Sequence, residues 1–250
     1  MKRVWLAIPI LLASVLAALA ETRRGTLVIV GGGATPTGLH RKLLDLGGGT
    51  NANVLVIPLA SPSSDGAKSV EAFHRAGAGR VSVLTTNDHK TAAASVGAAQ
   101  VIWFPGGSQS QLMTGLKKLD VVEAIRERFA RGAVVAGTSA GAAVMSKTMI
   151  TGNPEGRDTN AVPPMAEGLG LWPEVIVDQH FVKRGRQPRL LAAVRVHPEL
   201  VGVGIDEATA VIARDGAFEV IGDSSVTVVD WRRNRDNTAR VLKAGDREKL

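Results

Sequence analysis

Between residues 26 and 138, short and almost uncharged apolar runs alternate with stretches of helical periodicity, and few folds accept that alternation. The runs are TLVIVG at 26–31, VLVIPLA at 54–60, RVSVLTT at 80–86, QVIWFPG at 100–106 and GAVVA at 132–136. A strand that is apolar on both faces needs cover on both, which a parallel sheet flanked by helices supplies. Periodicity predicts the covering helices near 37–46, 64–76, 88–97, 108–117 and 119–130. The fold expected is α/β, a doubly wound and mostly parallel sheet. Ligands of such sheets lie beyond the carboxyl ends of the strands. The turns at Gly31-Gly32-Gly33, at Gly106-Gly107 and around Ser139 all fall on that edge.

The second half breaks the pattern. Residues 151–173 are rich in Gly, Pro and polar residues and read as a long surface loop. A strand at 174–178 and a helix at 187–196 follow. Short strands are then predicted at 202–206, 209–213, 217–221 and 225–230, extra C-terminal strands that look antiparallel. The tail from Arg232 is mixed in charge and reads as peripheral. No repeat or composition shift divides residues 21–250, which are expected to form a single domain.

The N-terminus stands apart. Lys2 and Arg3 precede an apolar run from Val4 to Ala20 that ends in Ala18-Leu19-Ala20, the pattern of a secretory signal peptide at 1–20. The chain is therefore expected to be exported to the periplasm or the medium, with no membrane attachment after cleavage. None of the 250 residues is cysteine, which excludes disulfides, a thiolate nucleophile and a cysteine-ligated metal. The formal charge is +7, but the basic residues are scattered and aromatics make up 4%, so no stacking platform for nucleic acid exists.

The chemistry centres on AGTSAGAAVMSK at 136–147, where a serine stands between small residues as an apolar strand gives way to a helix. Such a turn can push Ser139 out at the top of a sheet and aim the backbone N–H of Ala140 at an oxyanion. The motif alone leaves open that Ser139 only caps the helix. Gly106 and Gly107 can present further N–H groups without side-chain obstruction, or can form an ordinary turn capped by Ser108. The Gly31–Gly33 run lacks the G-x-G-x-x-G spacing of a dinucleotide site, since position 36 is Pro, and reads as a tight turn beside the active site. Of the histidines at 40, 74, 89, 180 and 197, His180 ends the apolar run VIVDQHF and so shares an edge with Ser139, where it can act as a general base. His40, His74 and His89 read as surface residues. Glu207 fits as the acid that orients the imidazole, with Asp206 and Asp178 as competitors. The cationic run Lys183-Arg184-Gly185-Arg186-Gln187-Pro188-Arg189 follows the base directly and favours a carboxylate-bearing substrate, while Asp178 could receive a cationic group.

FPGGSQSQL at 104–112, GTSAGAAVMS at 137–146, DQHFVKRGRQPRLL at 178–191 and GIDEATAVI at 204–212 resemble, in order and spacing, the motifs of the cyanophycinases of peptidase family S51. Aspartyl dipeptidases form that family's other main branch. The resemblance implies a class I glutamine amidotransferase-like (flavodoxin-like) fold with serine in place of the usual cysteine. It makes Ser139 the nucleophile, His180 the base and Glu207 the orienting acid. Substrate contacts would fall on Gln109, Asp178, Gln179, Arg184, Arg186 and Arg189. The implied substrate is cyanophycin, a polymer of β-linked arginine on an aspartate backbone, cut to β-Asp-Arg dipeptides with no metal or other cofactor, by a possible homodimer. An exported aspartyl or isoaspartyl dipeptidase, and a catalytically silent amidotransferase-like binding domain, are the alternatives.

Overall fold

The computed structural model describes residues 25–63, 66–152, 161–233 and 239–250. The expected signal peptide at 1–20 lies outside the described residues, as do residues 153–160 of the expected loop. Five parallel strands, β1 (Thr26–Val30), β2 (Asn53–Val56), β3 (Arg80–Val83), β4 (Val101–Phe104) and β5 (Val134–Thr138), lie in the order β1-β5-β4-β2-β3. They are connected through α1 (Leu39–Gly47), α2 (Ala67–Arg75), α3 (His89–Ala98), α4 (Gln109–Lys118) and α5 (Val122–Ala130).

Successive side chains of a strand point to opposite faces, and in β1, β2, β4 and β5 both faces are dry, while edge strand β3 leaves Arg80 and Ser82 exposed. Val28, Val30, Val54, Val56, Val101, Trp103, Val134 and Ala136 pack with Leu39, Leu43 and Leu44 of α1 and Phe73 of α2. The alternate residues, Leu27, Ile29, Leu55, Ile102, Phe104 and Val135, pack on the other side with Val96, Leu112, Leu116 and Ile125 of α3, α4 and α5. Each large side chain so buried stabilises the fold by about 1.5–3 kcal/mol.

The antiparallel strands β10 (Thr209–Arg214), β11 (Ala217–Gly222) and β14 (Arg247–Lys249) extend the sheet beyond β1. The other C-terminal strands form a second sheet, in the order β13-β12-β9-β8: β8 (Val175–Gln179), β9 (Val201–Ile205), β12 (Val226–Val229) and β13 (Arg240–Leu242). β8 and β9 are parallel, joined by α7 (Gln187–Val196), while the short strands expected to be antiparallel pair that way, β9 with β12 and β10 with β11. Their inner residues Val175, Val177, Val203 and Ile205 close the second face of the main sheet. Two further expectations change. The loop at 151–173 contains β7 (Met165–Glu167), which pairs with β6 (Thr148–Ile150). The tail after Arg232 supplies edge strands to both sheets, and buried Glu248 accepts hydrogen bonds from Arg233 and Arg240.

Register positions the rim. β5 lies beside β1 with Thr138 opposite Val30, and β8 lies beside β9 with Gln179 opposite Ile205. The residues that follow, Ser139, Gly31, His180 and Asp206, therefore emerge together.

Candidate active site

Ser139 stands between β5 and the short helix α6 (Ala140–Ala143) with φ 54° and ψ −109°, a conformation L residues rarely adopt and one that costs about 1–3 kcal/mol. Its neighbours explain how the turn closes. A Cβ added at Gly137 would lie 2.5 Å from the Gly141 carbonyl oxygen, and one at Gly141 would lie 2.2 Å from that of Phe104. Only bare backbone fits at either position. The strain is held by packing, since Ala140 to Ala143 are all buried.

The Ser139 Oγ lies 2.9 Å from His180 Nε2, and His180 Nδ1 lies 2.6 Å from Glu207 Oε1. A carboxylate only accepts, so Nδ1 carries the ring proton and donates it to Glu207. Nε2 is left as the acceptor for the serine hydroxyl. His180 is 7% exposed, and burial holds its pKa below the ordinary 6.5, with the Glu207 hydrogen bond opposing and the positive charges of Arg184 and Arg186 assisting. The imidazole is therefore neutral at pH 7, the form that can take a proton.

Asp206, adjacent to Glu207, faces elsewhere. Its carboxylate accepts the Lys183 N–H at 2.9 Å and the Ser224 hydroxyl at 2.7 Å, tying the turn after His180 to the end of β9. These bonds hold Asp206 below the usual carboxylate range against the opposing effect of burial, the largest single influence on it. Asp206, one competitor for the acid beside His180, thus lies off the imidazole, and Asp178, the other, is held by Arg189.

Gly106 approaches Ser139 closely: an added Cβ would be 3.5 Å from the serine Cβ. Gly107, at φ 145°, is pressed against Ala60, whose carbonyl accepts the Ser108 N–H at 2.8 Å. Ser108 caps α4 by accepting the Gln111 N–H. The backbone N–H groups of Gly106, Gly107 and Ala140 donate to no group among the described residues.

The six candidate substrate contacts separate. Arg184 is exposed and Arg186 half-buried. Gln109 and Gln179 are buried, and the Gln109 amide donates to the Ile150 carbonyl at 3.0 Å. Asp178 is fully buried, and both of its oxygens are taken by Arg189, through Nε at 2.8 Å and through Nη2. The carboxylate expected to receive a cationic substrate group is instead occupied by the protein's own guanidinium, itself 5% exposed. A buried charge persists only when paired. Burial pushes Asp178 up from the usual carboxylate value and Arg189 opposes it. Arg186 leans on this pair, its Nη1 donating to the Gln179 carbonyl at 2.5 Å and lying 3.6 Å from Asp178 Oδ1. Burial lowers Arg186 to about 10, so it stays cationic at neutral pH. Asp178 and Arg189 form the floor on which Arg186 is set.

Among the remaining histidines, His40 departs from its expected surface position. Its ring packs at 4.8 Å edge-on to Phe73 and 5.5 Å from Trp103. Sequence reasoning also missed Ser224 and the carbonyl of Val30, which accepts the Ser139 N–H at 3.1 Å. A backbone acceptor has no side-chain signature.

Fold and geometry define a class: an α/β sheet with a serine, an imidazole and a carboxylate hydrogen-bonded in series at its rim. Comparison with known proteins is consistent with that class. The family model described as Peptidase family S51 matches residues 25–221. A cyanophycinase of Trichormus variabilis is 42% identical over 219 residues, covering 82% of this chain and 74% of the relative. A cyanophycinase of Geminocystis herdmanii is 40% identical over 220 residues, covering 83% of this chain and 81% of the relative. The crystal structure of a peptidase from an acI-B1 actinobacterium superposes with a TM-score of 0.67 at 24% identity, covering 93% of this chain and 100% of that one, a likeness of fold. The chain belongs to peptidase family S51 and is a serine-type peptidase.

Proposed function

We propose that this peptidase is exported and hydrolyses cyanophycin to β-Asp-Arg dipeptides, with Ser139 as nucleophile, His180 as general base and Glu207 as orienting acid. The relatives named as cyanophycinases support the substrate. The observation that carries the mechanism is the unbroken series Ser139 Oγ, His180 Nε2, His180 Nδ1, Glu207 Oε1, with links of 2.9 and 2.6 Å. Export rests on the N-terminal pattern at 1–20.

The Ser139 proton passes to His180 Nε2 as Oγ attacks the peptide carbonyl carbon. Glu207 stabilises the imidazolium that forms. The oxyanion is received by the uncommitted N–H groups of Gly106, Gly107 and Ala140. The tetrahedral adduct collapses as the imidazolium gives its proton to the leaving amine, and an ester on Ser139 remains. Water, losing its proton to His180, attacks that ester and releases the carboxylate product. Arg184 and Arg186 bind the free carboxylate of the β-linked arginine, because a guanidinium pairs with a carboxylate through two parallel hydrogen bonds.

Mass spectrometry of the products from purified cyanophycin tests this reading. β-Asp-Arg is expected from the wild-type protein, and no product above background from Ser139→Ala. An intact polymer together with cleavage of short α-aspartyl dipeptides would reassign the substrate, and hydrolysis by Ser139→Ala would overturn the nucleophile.

A further inference from the structure

The turn that ends β1 carries no reacting side chain, yet it touches every element that does. Three consecutive carbonyls each accept from a different part of the site. Val30 accepts the Ser139 N–H at 3.1 Å, Gly31 the His180 N–H at 2.7 Å, and Gly32 the N–H of Ala208, the residue after Glu207, at 3.1 Å. The Gly31 N–H in turn donates to the Thr209 carbonyl at 3.0 Å. One short stretch of backbone therefore sets the spacing between β5, β8 and the segment leaving β9.

The missing side chains matter as much as the carbonyls. A Cβ built at Gly31 would stand 2.1 Å from the Asp206 carbonyl oxygen. At Gly32 it would stand 2.3 Å from His180 Cε1, 2.5 Å from Nε2 and 2.9 Å from Nδ1. At Gly33 it would stand 2.8 Å from Glu207 Oε2 and 2.9 Å from its Cβ. All lie inside van der Waals contact, so the imidazole and the glutamate rest directly on bare backbone. Gly32 and Gly33 have φ of 109° and 64°, which lets the chain turn away without presenting a side chain to the ring.

We infer that Gly31, Gly32 and Gly33 are positioning residues for hydrolysis: the carbonyls of Gly31 and Gly32, together with that of Val30 before them, fix the backbones of His180, Ala208 and Ser139 respectively, Gly32 forms the wall that keeps the imidazole within reach of the serine, and Gly33 leaves room for the Glu207 side chain. The inference rests on the reading of Ser139, His180 and Glu207 as the reacting set. Misplacing a reacting group by about 1 Å costs on the order of 100-fold in rate, so a methyl at position 32 acts on the chemical step and leaves substrate affinity in place.

The test compares Gly32→Ala and Gly33→Ala with wild type, measuring kcat and KM on cyanophycin, thermal unfolding, and the downfield proton resonance of the His180 Nδ1–H held by Glu207. Gly32→Ala is expected to lower kcat by about 100-fold with KM little changed, and to shift or remove the resonance while unfolding stays cooperative. In a His180→Ala background the same substitution is expected to have no further effect, because the ring it displaces is gone. Gly33→Ala, whose added methyl would meet the Glu207 side chain rather than the imidazole, is expected to give a smaller loss with a shifted resonance, and it decides the matter if Gly32→Ala does not fold. A folded variant with wild-type kcat and an unmoved resonance would overturn the inference, as would an equal loss in the His180→Ala background. Ser139→Ala separates the two claims: if it is inactive while the glycine variants are normal, only the positioning role falls.

Discussion

The strands of the main sheet and the rim where they end obey opposite rules. Within β1, β4 and β5 the backbone is regular, and Val28, Ile29, Val101, Ile102 and Val135 are fully buried. At the rim, where β5 of this sheet and β8 and β9 of the second end, the backbone turns into sparsely populated conformations. Five non-glycine residues among the described ones have positive φ, and three of them are Ser139, His180 and Ala208. The other two, Asp120 and Asp215, are acids of the kind that tolerate this region in turns. Serine and alanine have no such local reason. The interior supplies stability, and the rim uses some of it to hold side chains where relaxed backbone would not put them.

That contrast is open to attack, beginning with its largest effect. Ser139→Gly is expected to lower kcat by more than about 10⁴-fold and, by releasing the strain at φ 54°, to raise stability by about 1 kcal/mol. Denaturant titration beside a rate assay checks both halves, and a destabilised glycine variant would show that the turn is not strained. Glu207→Gln is expected to cost roughly 10³–10⁴-fold in kcat with little change in stability, because the amide can no longer hold the Nδ1–H tautomer. Leu43→Ala is the converse. It empties a fully buried site under the sheet and is expected to cost about 2–5 kcal/mol in urea titration while kcat at 25 °C stays within a factor of two.

The smallest expected effect concerns charge. With His180 as the proposed base the neutral imidazole is the reactive form, so the rate of Ser139 modification by an uncharged serine-directed inhibitor is expected to drop as the pH is lowered through a midpoint below 6.5. Arg184→Ala removes a positive charge that helps hold His180 down, so that midpoint is expected to move upward. A downward move would contradict the assigned electrostatics.

Residues 26–138 were legible because a strand buried on both faces leaves an uninterrupted apolar run, and only flanking helices can cover it. Strand ends were less so: the run at 80–86 stops as a strand at Val83, because Leu84, Thr85 and Thr86 continue the apolar and strand-favouring residue types that precede them and nothing in those types marks the boundary. In the second half, β8 and β9 look like central strands, and nothing in their composition says that they belong to a separate sheet. Ser139, His180 and Glu207 could be picked out because each stands at the carboxyl end of an apolar run. Choosing between Asp206 and Glu207 was harder, since adjacent residues differ only in which way the chain turns after Ile205. The pairing of Asp178 with Arg189 was hidden for a related reason: a cation in a charge run reads as solvated until the helix carrying it is seen to turn that position inward. The Gly31–Gly33 turn was visible as a feature, but the carbonyls of Val30, Gly31 and Gly32 that make it matter leave no trace in residue type.

Covalent labelling at the rim is the most direct measurement. Enzyme that turns over substrate is treated with a fluorophosphonate and digested, and the adduct is located by tandem mass spectrometry. A single adduct on Ser139 is expected, forming at least about 100-fold more slowly in His180→Ala. Active enzyme that stays unlabelled at Ser139, or carries its adduct on another residue, would contradict the assignment of the hydroxyl, imidazole and carboxylate as one working unit.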